Sequence, residues 1–140
     1  MILVDTSGLL AAIDSSQAQH EPAAAALMAL GGPRLMSPFV LAEMDYLLAT
    51  RVGTSAELTL LDEVARGAYR LETFSATDVA AARAVVARRA GAGIGLADAS
   101  IVVLAERYAV LDVLTLDRRH FESLRGPGGK RFRLHPGPAS

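Results

Sequence analysis

Ile94-Gly-Leu-Ala-Asp-Ala-Ser-Ile-Val-Val-Leu-Ala-Glu-Arg-Tyr108, followed by Val113-Leu-Thr-Leu-Asp117, is the stretch on which the fold turns. From Leu96 to Ala105 nearly every residue is apolar, so a helix here is hydrophobic on most faces and belongs inside a domain. Asp98 nonetheless sits in its first turn, on the side of Ile101 and Val102. A carboxylate in that position is costly unless a partner or a metal compensates it. Val113 to Leu116 reads as a short buried strand, and Asp117 stands where it ends. Two core elements therefore carry acidic residues at their ends, which is the mark of a site more than of a stability device.

Outward from this stretch, strands and helices alternate. Ile2-Leu-Val4 is a buried strand with Asp5 at its carboxyl end, and Thr6-Ser7-Gly8 has turn and cap chemistry for a helix through Ile13. A second helix opens at His20-Glu21-Pro22 and stops at Gly31-Gly32-Pro33, before a short strand at Arg34 to Ser37. Ser37-Pro38 opens a helix from Phe39 to about Arg51, and Thr54 caps another that runs to Gly67. The alternation of Ala68 to Thr73 predicts a strand, and Ser75 to Ala90 a helix. After Asp117 come a helical turn through His120-Phe-Glu-Ser-Leu124, a loop at Gly126 to Gly129 and an edge strand at Arg131 to His135. The pattern predicts a three-layer α/β/α domain with a mainly parallel central sheet, over residues 1–134, and a frayed tail over 135–140. In such sheets ligands bind beyond the carboxyl ends of the strands, where Asp5 and Asp117 both fall.

Composition narrows the function classes. A chain of 140 residues that is 51% hydrophobic, with mean hydropathy +0.31, is a globular domain and not a disordered one. No apolar run reaches the roughly eighteen residues of a membrane helix, and Met1 to Asp5 lacks the basic segment of a signal peptide, so a cytoplasmic protein is expected. The absence of cysteine excludes disulfide frameworks and thiolate sites. A formal charge of −1 gives no global attraction to nucleic acid, so any such contact requires a local basic cluster. Lysine occurs once, at Lys130.

A further acidic residue comes from the Phe39 helix. Glu43 interrupts the apolar set of Phe39, Val40, Tyr46 and Leu47, while Asp45 equally interrupts Leu41, Ala42, Leu48 and Ala49, so periodicity leaves both open. Each acidic residue has a plain alternative: Asp5 and Asp117 could be helix caps, and Glu43 could reach past its neighbours to water. Asp98, on a helix buried on most sides, has the weakest such alternative. Carboxylates gathered together repel one another and take up protons unless a cation neutralises them. With no cysteine, and with His20, His120 and His135 far apart, zinc is poorly supported, whereas an all-oxygen site suits Mg²⁺ or Mn²⁺.

Val4-Asp5-Thr6-Ser7, Ser37-Pro38 leading to Ala42-Glu43, Gly95-Leu-Ala-Asp98 and Leu114-Thr-Leu-Asp117-Arg-Arg-His-Phe121 together resemble a PIN-domain ribonuclease, in particular the VapC toxins of bacterial VapBC toxin–antitoxin pairs. The likeness runs from residue 1 to about residue 134. It implies that Asp5, Glu43, Asp98 and Asp117 are the catalytic, metal-binding acidic quartet, with Thr6 and Thr115 supporting it through their hydroxyls. It favours Glu43 and leaves Asp45 without an assigned role. The implied activity is Mg²⁺- or Mn²⁺-dependent endoribonuclease, with water attacking phosphorus to leave a 5′-phosphate and a 3′-hydroxyl. Arg118, Arg119 and His120, directly after Asp117, are expected to contact the RNA backbone. The resemblance also implies a homodimer, inhibited by a VapB-type antitoxin in a heterotetramer or larger assembly. Its RNA would be a transfer RNA or the sarcin–ricin loop of large ribosomal RNA, with the Ala42 to Tyr46, Ala49 to Gly53 and Thr115 to Phe121 segments favouring the loop. Two rivals stand beside this reading. A phosphoaspartate phosphotransfer or phosphatase domain would need a lysine near a strand end, for which Lys130 is poorly placed. A catalytically silent PIN-like binding module would have no reason to keep the quartet.

Overall fold

The computed structural model describes residues 1–138. Five parallel strands, β1 (Ile2–Val4), β2 (Arg34–Met36), β3 (Arg70–Leu71), β4 (Asp112–Leu114) and β5 (Arg133–His135), form one sheet in the order β3-β2-β1-β4-β5. Around it lie α1 (Thr6–Ile13), α2 (His20–Ala29), α3 (Pro38–Leu47), α4 (Thr54–Ala65), α5 (Ala76–Arg88), α6 (Leu96–Tyr108) and α7 (Arg118–Ser123). A sheet covered on both faces calls for strands that are apolar throughout, and Ile2, Leu3, Val4, Leu35, Met36, Val113 and Leu114 are all fully buried. The chain begins at the centre, moves to β2 and β3 on one side, then returns to β4 on the other. The order therefore reverses between β1 and β4, and the crevice that an open α/β sheet offers to ligands lies at their carboxyl ends.

The helix expected to be apolar on most faces is so: Ala99, Ser100, Ile101, Val102, Leu104 and Ala105 of α6 are all buried. It stops at Ala109, whose φ of 53° is the left-handed turn that ends a helix before β4. Ser37 caps α3 by accepting from Phe39 N–H at 3.1 Å, with Pro38 in the first turn as its fixed φ favours. The Ser37 hydroxyl also accepts from Ser100 Oγ at 2.7 Å, which ties the start of α3 to α6 through a buried pair.

Four expectations about the elements are corrected. α3 ends at Leu47 instead of Arg51, because residues Leu48–Val52 form a π-helical turn closed by Gly53 N–H to Leu48 O at 2.7 Å. Thr54 is the first residue of α4 and not its cap, since Gly53 with φ 145° occupies that position. The alternating segment 68–73 pairs over only two residues, both exposed, as a short strand at a sheet edge commonly does. Strand pairing extends through His135, whose carbonyl accepts from Thr115 N–H at 2.8 Å, so β5 begins two residues later than expected and reaches into the expected tail. Of that tail, residues 139 and 140 lie outside the described residues.

Gly8 sets how closely α1 lies on β4. A β-carbon there would come within 2.5 Å of the carbonyl carbon and oxygen of Leu114 and 2.7 Å of Thr115 N, all backbone atoms that cannot swing aside. Gly8→Ala is therefore expected to lose about 2 kcal/mol by overpacking, outweighing the helix propensity that alanine gains. Urea unfolding with an unchanged slope would measure it, and a stabilised variant would show that the contact yields.

Candidate active site

The carboxyl ends of β1 and β4 open into a cavity of about 710 Å³. Asp5, Thr6, Ser7, Glu43, Asp98, Asp117 and His120 line it, with Leu10, Ala42, Tyr46, Leu47 and Arg51 completing its wall. All four acidic residues of the expected quartet thus line one space, although they come from the end of β1, from α3, from α6 and from the start of α7. Asp45 is not in the lining. It lies against Glu57 instead, and the approach of that second carboxyl, more than burial, raises the Glu57 pKa.

Asp5 is the most deeply held, at 5% exposure. Its Oδ2 accepts from Thr115 Oγ1 at 2.7 Å and Ser7 Oγ at 2.9 Å. Ser7 Oγ also accepts from Leu116 N–H at 3.0 Å, and Thr115 Oγ1 from Asp117 N–H at 2.9 Å, so two hydroxyls knit the ends of both strands together. Burial pushes the Asp5 carboxyl above its ordinary pKa; the two hydroxyls and the Thr6 backbone pull it back, and the nearby Asp117 charge adds to the rise. Thr6, expected to support the quartet through its hydroxyl, donates to Glu43 Oε1 at 2.7 Å. Ser7, whose place in the sequence suggests only cap chemistry, joins Thr115 on Asp5. The position that would cap α1 is Asp5 itself, with no side-chain cap bond, because its oxygens serve the site.

Asp98 is pushed up to about 6, first by burial, then by the Asp5 charge, with Asp117 adding a smaller push; His120 and the Gly95 backbone oppose it. Asp117 does cap α7, accepting from His120 N–H at 3.3 Å through Oδ1. Its Oδ2 lies 2.7 Å from His120 Nδ1, which is also 3.2 Å from Asp98 Oδ2. Neither approach has the direction of a hydrogen bond, and Nδ1 is buried without an acceptor. The imidazole stands between the two carboxylates.

The other expected backbone contacts are placed differently. Arg118 pairs with Glu122 at 3.4 Å and reaches Pro136 O at 3.4 Å, and Arg119 is exposed outside the cavity lining. The arginine in the wall is Arg51, brought there by the π-helical turn, beside Tyr46 with 67% of its surface exposed. A π-helical turn inside a predicted helix carries no sequence signal, so Arg51 and Tyr46, although within segments whose likeness favours the ribosomal loop, give no sign in the sequence that they face the cavity.

Whether these residues suit a divalent cation can be judged from the donors. They are carboxylate oxygens with no thiolate among them, which is the chemistry of Mg²⁺ or Mn²⁺. In the present rotamers no group of three or more His, Asp or Glu among the described residues surrounds one point closely enough to hold an ion. His120 occupies the space between Asp98 and Asp117, and Thr6 holds Glu43. The fit is therefore one of donor chemistry and position.

Comparison with known proteins agrees with this architecture. The PIN domain family model matches residues 2–127. Ribonuclease VapC26 of Mycobacterium tuberculosis (strain ATCC 25618 / H37Rv) is 44% identical over 135 residues, covering 96% of this chain and 100% of that protein. Among solved structures, Mycobacterium tuberculosis VapC20, described as a sarcin–ricin loop cleaving toxin, superposes with a TM-score of 0.77 at 22% identity, covering 84% of this chain and 90% of that one. FitAcB from Neisseria gonorrhoeae superposes with 0.63 at 23% identity, covering 86% and 91%.

The raised Asp98 pKa fixes the sign of a pH effect. The folded form binds its proton more tightly than the unfolded form, so stability falls as pH rises from about 3.8 to about 6 and the cost is constant above that. In chelator, Asp98→Asn should stabilise the protein near neutral pH by on the order of 1–3 kcal/mol and lose that advantage below the lower value. Denaturant unfolding across this range checks it; equal curves would mean the carboxylates do not strain one another.

Proposed function

This chain belongs to the PIN-domain family, and from that premise we propose that it is a divalent-metal-dependent endoribonuclease of the VapC toxin type. The observation that carries the reading is the convergence of Asp5, Asp98, Asp117 and Glu43 on one cavity at the sheet's switch point. The likeness to a protein named as a ribonuclease over nearly the whole chain supports the choice of substrate class.

Asp5, Asp98 and Asp117, joined by Glu43, would hold Mg²⁺ or Mn²⁺. When bound, the ion would supply Lewis-acid stabilisation of phosphate charge and a water of lowered pKa. The chain's own residues do the rest. Thr115 and Ser7 keep Asp5 in one orientation, so no reorganisation is needed as charge develops. Glu43, exposed and steadied through Oε1 by Thr6, is the side chain able to accept a proton from the attacking water. Arg51 offers paired donors to a phosphate, and the Tyr46 ring offers a face on which a base can stack. No lysine lines the cavity, which disfavours a phosphoaspartate enzyme.

The regulation proposed is inhibition by a VapB-type antitoxin whose arginine would sit among the four carboxylates, satisfying them electrostatically and excluding RNA. Exposed Tyr46, Leu58 and Leu61 on α3 and α4 are apolar surface on which such a partner could pack. A cytoplasmic homodimer is proposed with it; no helix among the described residues is long and apolar enough to cross a membrane. The proposed target is the sarcin–ricin loop of large ribosomal RNA, with transfer RNA as the alternative, and mapping of new 5′-phosphate ends in total RNA after brief induction decides between them.

Calorimetry should show Mn²⁺ binding that disappears in Asp98→Asn. Asp98→Asn and Asp117→Asn should each lower RNA cleavage at least roughly a thousandfold, the scale of removing a group that stabilises transition-state charge. Both variants should keep the folded spectrum, and Asp62→Ala on exposed α4 should cleave normally. Unfolded site variants, or cleavage that persists without divalent cations, would count against the reading.

A further inference from the structure

A second, smaller cleft of about 120 Å³ lies beside the carboxylate cavity, lined by Val85, Arg88, Arg89, Val102, Leu124 and Arg125. Its floor is apolar and its rim carries three guanidiniums and no carboxylate. Arg88 and Arg89 end α5, and Arg125 comes just after α7. Arg125 spends one nitrogen on two carbonyls, Nη1 donating to Glu122 O at 2.9 Å and Leu124 O at 3.0 Å. Its other donors remain for a ligand, since a guanidinium carries five N–H groups. None of the three arginines is in an ion pair among the described residues. Arg89 Nε is buried with no acceptor.

The carboxyl end of α5 attracts cations, which accounts for arginines being there. It does not account for an N–H that is buried and unsatisfied, a state that asks for a missing acceptor. With three guanidiniums on the rim, an anion small enough for the cleft and able to bridge forked donors, as a phosphate does, would supply that acceptor.

The position of the cleft says which phosphate. Asp98 and Val102 are one turn apart on α6, as are His120 and Leu124 along α7 and the residue just beyond it. Each step is about 6 Å along its own helix axis, so on both helices the two cavities are lined by residues one turn apart. The exposed Gly91-Ala92-Gly93 turn, just beyond Arg88 and Arg89, closes on His120 of the acidic cavity; a β-carbon on Gly93 would lie 3.3 Å from His120 Nε2. A strand bound in the acidic cavity and leaving it toward the arginines would bring a flanking backbone phosphate to them. A polyanion approaching four carboxylates on a chain of net charge −1 needs such a cation cluster close by.

We propose that Arg88, Arg89 and Arg125 form a phosphate subsite, holding a backbone phosphodiester of the RNA that flanks the bond to be cut. The proposal rests on the ribonuclease reading above, and its test separates binding from cleavage. A short single-stranded RNA is titrated in EDTA, over a series of salt concentrations, with wild type, Arg89→Gln, Arg88→Gln, Arg125→Gln and Arg89→Lys. Arg89→Gln is expected to bind about tenfold more weakly and to lose about one unit of salt slope, the signature of one lost phosphate contact. Its thermal midpoint should hold or rise, because a buried unsatisfied donor is removed. Arg88→Gln and Arg125→Gln, both at exposed positions, should move in the same direction and keep the test valid if Arg89→Gln folds poorly. Arg89→Lys should recover the slope but not the affinity, lacking the forked donors. In a second arm, single uncharged methylphosphonate linkages are walked along the RNA. Wild type should lose affinity at one linkage, and Arg89→Gln should lose nothing further there. Unchanged affinity and slope in all the Gln variants, or equal losses at every linkage in both proteins, would overturn the subsite. Failure of wild type to cut RNA once metal is restored would instead sink the ribonuclease reading, while the EDTA titration still decides the subsite.

Discussion

The Asp5 carboxylate, buried and bonded through one oxygen to the hydroxyls of Thr115 and Ser7, joins β1, α1 and the end of β4 into a single unit. That junction requires α1 to lie nearly in backbone contact with β4, which only a glycine at position 8 permits. The same junction orients Asp117, whose N–H is bonded to the Thr115 hydroxyl, and so sets the start of α7 and the position of His120. The sheet's order supplies the place and these hydroxyls supply the orientation. A change at Gly8, Ser7 or Thr115 would be felt by three carboxylates at once.

Two other partly or fully buried acidic residues show what a structural carboxylate looks like in this chain. Burial works to raise the Glu72 pKa, but the Tyr108 hydroxyl and the Arg70 and Arg107 guanidiniums outweigh it and hold the group below its ordinary value. Asp112, gripped by both donors of Arg133 and by His135, is pushed down to about 2. These residues have cations and fasten the sheet edges. Asp5 and Asp98 have hydroxyls, one another and a single imidazole, and both shift upward. The contrast separates the cavity carboxylates from those that fasten the sheet.

Much of this is legible in the chain itself, for identifiable reasons. The central strand β1 is continuously apolar, and β1, the Val113 to Leu116 run and α6 are so apolar that Asp5, Asp98 and Asp117 stand out against them. Glu43 and Asp45 cannot be separated by spacing, because both interrupt the apolar pattern of α3; the structure separates them by which side of the helix meets the cavity. Ser7 is hidden because a serine just after a strand serves equally as a cap or as a site donor. Nearness in sequence misplaces the arginines: Arg118 and Arg119 come directly after Asp117, yet it is Arg51, from another helix, that enters the cavity wall. The cleft of Arg88, Arg89 and Arg125 is assembled from two distant segments and has no linear signature.

The π-helical turn at Leu48–Val52 changes how this domain can vary. Such a turn amounts to one extra residue wound into an α-helix, so it rotates the residues beyond it by about 100° without lengthening the helix by a full turn. Arg51 lies within the turn and lines the cavity. A relative lacking a single residue here could keep the same helix axis and the same quartet while its arginine pointed elsewhere and another side chain filled the wall. One-residue insertions and deletions at this point would therefore retune what the cavity accepts while leaving the carboxylates untouched, a route to new substrate preference that point substitution at the quartet does not offer.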